Sequence, residues 1–182
     1  LAALADETGL DLIGVQDHPY QAKFLGCWSL MGTILARTGR VRVFPDVACL
    51  PLRPPATMAK AAANYADDAD VQTLYADALM NTMPWDYWQK DGSPKPATAE
   101  ISGILERVIA AHPDHAGAHH YYIHLLEASP TPERAERSAD VLGGLMPAAG
   151  HMVHMPAHIY LRVGRYADAA EANVRAIAAD ED

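Results

Sequence analysis

AHIYLRVGRYADAAEANVRAIAADE, residues 157–181, is the stretch whose reading decides the fold of most of this chain. Ala157 and Tyr160 fall on a first helical segment, Gly164 and Tyr166 at a break, and Ala169 and Ala176 on a second. Small residues at those places let two paired helices approach closely and share a core with the next pair. Working outward, Pro113 and Pro147 stand 34 residues apart, and Ala135 and Leu142 precede Ala169 and Ala176 by the same interval. A fixed period of that length marks a stacked helical repeat. An earlier unit opens at ADVQTLYADALMN (69–81) and resumes at TAEISGILERVIAAHPD (98–114). Between them lies an insertion, TMPWDYWQKDGSPKPA (82–97), with Trp85, Tyr87 and Trp88. These aromatics read either as a lid over a groove or as a clasp fastening the insertion to a helix end.

Together with HPDHAGAHHYYIHLLEAS (112–129) and GHMVHMPAHIYLRVGRY (150–166), these segments resemble a family of bacterial tetratricopeptide-repeat proteins of unassigned activity. The likeness spans residues 65–182 and implies a mainly α fold, an α-solenoid of about three helix pairs. It also implies a binding or scaffold module that takes a protein or peptide ligand in its concave groove, without catalysis of its own.

Seven of the nine histidines sit in two clusters, HAGAHHYYIH (115–124) and HMVHMPAH (151–158). His120 and His124 are four residues apart on one helix, His154 and His158 on another, and each pair therefore shares a helix face. The pairs are 34 residues apart, so they occupy equivalent places in successive repeats, and Glu127 continues the first stripe. Imidazole is the commonest zinc ligand, and with a carboxylate it suits a divalent metal. His120, His124, Glu127, His154 and His158 are thus the candidate metal ligands. Two other readings stand beside this one: a polar seam in which the histidines bond Tyr121, Tyr122 and Tyr160, and direct contact with a groove ligand. Pro156 is expected to kink the helix between His154 and His158. His112, His115, His119 and His151 lack a partner one repeat away and carry no expectation. The Asp67, Asp68 and Asp70 cluster reads as helix capping, because the glycine and final glutamate of a calcium loop are missing.

Ahead of the repeats the rhythm changes. Leu1–Thr8 is helix-like, Leu12–Val15 strand-like, Phe24–Arg37 helical, and Val41–Phe44 with Val47 strand-like, which is the beat of a parallel α/β fold. DLIGVQDHPYQ (11–21) and FLGCWSLMGTILARTGRVRVFPDVACLPLRPP (24–55) resemble luciferase-like monooxygenases over residues 1–60. That resemblance implies part of an eight-stranded β/α barrel whose strand-end loops bind flavin mononucleotide or a deazaflavin. Asp17, His18, Asp46 and Val47 then stand at the cofactor positions. Two strands cannot close such a barrel, so residues 1–60 are expected to be a fragment, without flavin binding. The chain opens at Leu1 inside a helical pattern, which together with the change of rhythm reads as a chimeric or fragmentary sequence joined within residues 55–64.

Bulk properties agree with two origins. Residues 1–63 carry a net charge of +1 and residues 64–182 one of −10, within a total of −9. An acidic chain argues against nucleic acid or an anionic membrane as partner. No apolar run reaches the roughly 18 residues a membrane helix requires. Cys27 and Cys49 lack CxxC spacing, so a thiolate metal site is not expected and a reducing cytoplasm is. Nothing in the sequence sets the oligomeric state.

Overall fold

The computed structural model describes residues 1–15, 27–45 and 55–181. The chain divides into two compact units, Leu1–Arg53 and Pro54–Asp182. It is mainly helical. Among the described residues no helix is long and apolar enough to cross a membrane.

In the first unit, α1 (Ala2–Glu7) precedes β1 (Leu12–Val15), and α2 (Cys27–Leu35) precedes β2 (Arg42–Pro45). The strands pair in parallel, with Leu12 opposite Arg42 and Val15 opposite Pro45. Val15, Met31, Ile34 and Val41 form the core of this unit. Asp6 joins α1 to the turn before β2: its carboxylate accepts from the backbone N–H groups of Gly39, Arg40 and Val41 at 2.7–2.9 Å. Those bonds, led by that from Gly39, hold the Asp6 carboxyl below its ordinary range. No residue of α1 is buried. Leu1, Leu4, Leu10 and Leu12 all remain exposed beside a cavity or strand edge. The expected strands and helices are thus present, β1 with the expected bounds and β2 beginning at Arg42 in place of Val41; Asp17, His18, Asp46 and Val47 lie outside the described residues.

In the second unit, α3 (Pro55–Asn64), α4 (Ala69–Met80), α5 (Thr98–Ala111), α6 (Ala116–Leu126) and α7 (Glu136–Leu145) follow one another, a 3₁₀ turn at Pro132–Ala135 leading into α7. Then come α8 (Gly150–His154), α9 (Pro156–Val163) and α10 (Tyr166–Glu181). From α3 to α7 each helix packs chiefly on its neighbours in sequence, whereas α8 packs chiefly on α10 and α9 lies between α7 and α10; α6 also touches α4 and α9. Helix α5 shows why: Ile101, Ile104, Leu105 and Val108 recur at helical spacing and are all buried. Asp68 caps α4 by accepting from Val71 N–H at 2.9 Å, as expected of the acidic cluster. Gly164 ends α9 with φ +84°, a conformation glycine takes without a Cβ clash.

The insertion is a small hairpin, with Trp88 bridged antiparallel to Pro94 and Gly92 at φ +84°. Tyr87 is buried in the core. Trp88 donates its indole N–H to the Leu125 carbonyl at 2.7 Å, satisfying one of the last carbonyls of α6, which have no partner within the helix. Two of the three aromatics therefore act as a clasp. Trp88→Phe keeps the ring but orphans that carbonyl and should cost about 1–3 kcal/mol in a urea titration. A loss near zero would mean the indole bond is dispensable.

Candidate metal centre

Helix α6 has two faces. His119, Tyr122, Ile123 and Leu126 are buried in the core. His120, His124 and Glu127, at helical spacing, form a stripe the core does not use. Helices α8 and α9 bring His151, His154 and His158 to that stripe. Pro156 does more than kink its helix: α8 stops at His154 and α9 starts with Pro156 at its first position, where a missing N–H costs nothing. The pair still meets, His154 Nε2 lying 3.0 Å from His158 Nε2.

The structure thus gathers five imidazoles. His120 Nε2 lies 3.0 Å from His151 Nε2. The rings of His120 and His124 are 4.8 Å apart, and those of His124 and His158 5.6 Å. One ligand atom from each of His120, His124 and His151 can be chosen so that all lie within 4.8 Å of one another, a group that could hold a metal ion. His154 and His158 adjoin this triad as a separate pair. His151 had no expectation attached to it. Its signal was its spacing from His154, three residues on along one helix face, which a search by repeat symmetry passes over.

Glu127 sits between the groups and bonds a ring of each. Its Oε1 accepts from His124 Nδ1 at 3.1 Å and its Oε2 from His158 Nδ1 at 2.5 Å. His154 Nδ1 donates to Asn173 Oδ1 at 2.7 Å, and Asn173 is oriented by donating its amide N–H to the Ala169 carbonyl at 2.8 Å. With the proton on Nδ1 in each ring, Nε2 carries a lone pair. A metal-bound histidine is commonly held this way, its other nitrogen donating to a carboxylate or amide oxygen. The two lone pairs of His154 and His158 face each other at 3.0 Å, an arrangement that repels unless a cation or a proton is shared between them.

The tyrosines expected to partner these histidines bond carboxylates instead. Tyr122 donates to Glu106 at 2.7 Å and Tyr160 to Asp140 at 2.9 Å, while Tyr121 bonds Asp77. Tyr121 still packs its ring against the adjacent His120, with centroids 5.0 Å apart. Of the other histidines, His115 caps α6 by accepting from Ala118 N–H at 3.0 Å, and buried His119 is held between Ser138 and the Pro113 carbonyl.

Burial, reinforced by repulsion from His124, His151 and His158, draws the His120 pKa down from 6.5 to about 3. Burial and its histidine neighbours lower His151 too. Burial alone would raise Glu127, but the bonds from His124 and His158 overcome it and bring the group from 4.5 to about 2. In all three the folded value lies below the unfolded one, so the stability they contribute is complete above pH 6.5 and is lost as pH falls. In EDTA, the melting temperature should be level from pH 8 to 7 and decline between about pH 6.5 and 4. A His120→Gln variant should decline less steeply. A level profile down to pH 5 would contradict this.

Residues 1–66 match the luciferase-like monooxygenase family model. The match covers 66 of 182 residues, includes α3, and stops short of every histidine in the cluster. No curated protein matches the chain.

Proposed function

We propose that the second unit is a tetratricopeptide-like binding module whose histidine cluster holds a divalent metal ion. One observation carries the reading: among five converging imidazoles, three bring a ring nitrogen each to within 4.8 Å of one another, and one of these, His124, has its Nδ1 held by Glu127, which leaves Nε2 for a metal. His120, His124 and His151 would be the ligands, an all-nitrogen set suited to zinc and other late first-row metals. Zinc ligands at about 2.0–2.1 Å in tetrahedral array stand roughly 3.3 Å from each other, close to the 3.0 Å between His120 and His151. The His154 and His158 pair would offer a second, weaker position on the same carboxylate. The repeat reading is supported by the 34-residue register and by the packing of successive helices from α3 to α7. Under it the cluster lines the groove where a peptide partner docks. A cytoplasmic setting belongs to the same proposal. Titrating the metal-free chain with zinc by calorimetry at pH 7.5 tests it: at least one tight equivalent is expected, and none would sink the metal reading.

A second reading rests on the family match. It makes the first unit part of a flavin- or deazaflavin-binding oxidoreductase, with Asp17, His18, Asp46 and Val47 at the cofactor. Two strand ends out of eight are a poor cradle, so flavin mononucleotide is not expected to bind at low micromolar concentration. Saturable quenching of flavin fluorescence that His18→Ala abolishes would favour this reading over ours.

A further inference from the structure

A cavity of about 290 Å³ opens onto His120, His124 and His151, lined also by Asp77, Met80, Pro84, Trp85 and Tyr121. Trp85 is out of keeping with the rest of the insertion. Its neighbours Tyr87 and Trp88 are buried or bonded, whereas Trp85 is 68% exposed. Its backbone stands at φ +61°, where the side chain of a bulky residue is strained. The ring nonetheless sits edge-on to His124, with centroids 4.8 Å apart. Such strain persists only where the surroundings impose it, most often at ligand sites. Here neither burial nor an indole hydrogen bond offsets the cost among the described residues.

We propose that this cavity is a ligand site, for a small flat aromatic molecule bearing an oxygen head group that coordinates the metal. The proposal rests on the metal reading. Three neutral imidazoles leave a divalent ion its full positive charge and an open position, and an anionic oxygen donor fills both needs. Tyr121 and Asp77, bonded to each other, both line the cavity. Trp85 supplies the face or edge against which an aromatic body packs, in a cavity at the small end of the range for ligand sites.

Benzohydroxamate and acetohydroxamate share a metal-binding head and differ in the aryl body. With the zinc-loaded full chain, calorimetry should show benzohydroxamate binding at least about tenfold tighter than acetohydroxamate. The EDTA-treated chain should bind neither. Trp85→Gly should abolish the difference while zinc content stays the same and the melting temperature holds or rises, since glycine relaxes at φ +61°. A purely structural tryptophan would instead lower the melting temperature and leave the ratio unchanged. Equal binding of the two hydroxamates by the zinc-loaded wild type overturns the site, and so does an unchanged ratio in Trp85→Gly. A chain that takes up no zinc overturns the metal reading, and this appears in the metal content before any hydroxamate is added.

Discussion

Zinc added to the whole chain at pH 7.5 should raise its melting temperature, and the double variant His120→Ala/His151→Ala should lose that rise. A ligand that binds only the folded chain stabilises it by about 2.7 kcal/mol at one hundred times its dissociation constant. At about 2–4 °C per kcal/mol for a chain of this size, the shift should be roughly 5–10 °C. The two substitutions remove the ring nitrogens that approach to 3.0 Å. His112→Ala should keep the shift, because His112 is exposed at the end of α5 and belongs to neither group. The rise should fade as pH falls through the ordinary imidazole range near 6.5, since only neutral imidazole coordinates. A double variant that responds to zinc like the wild type would exclude His120 and His151 as ligands.

Glu127→Gln should weaken zinc binding by about 10–100-fold without changing how many zinc ions bind. Both carboxylate oxygens already accept from His124 and His158, so the group orients two rings rather than reaching the ion itself. Glutamine has one acceptor oxygen in place of two and a donor NH₂ that cannot satisfy a second Nδ1–H. One ring is thereby released, and the charge that favours protonated Nδ1 is gone. A lower stoichiometry would make Glu127 a ligand. Unaltered affinity would mean that the rings need no such holding.

Much of the centre was legible in the residues. Helical spacing placed His120, His124 and Glu127 on one stripe, and the 34-residue interval pointed from it to His154 and His158. His151 escaped because the position one repeat before it is Gly117, so symmetry offered no partner. The tyrosine hydroxyls were misread because their partners Glu106, Asp77 and Asp140 come from other helices, although the Tyr121 ring does meet that of His120. Asn173, 19 residues from His154, has no local signature at all. The strain at Trp85 is a property of φ, which side-chain patterns do not encode. In the first unit the parallel strand pair was readable from Ile13, Val15, Val41 and Val43, whose branched or apolar side chains suit a covered strand. Strand ends were less so, since pairing register and not composition decides where a ladder stops.

The bond between Glu127 and His158 has a kinetic consequence. It closes a loop of 31 residues, while most contacts of the second unit join neighbouring helices. Chain entropy must be given up before so distant a contact can repay it. The neighbouring helix pairs are therefore expected to condense first, with the carboxylate clasp closing after the barrier is crossed. An interaction absent from the transition state alters the unfolding rate and leaves the folding rate nearly unchanged. Whatever strengthens the clasp, a metal ion included, lengthens the lifetime of the folded unit more than it hastens its formation.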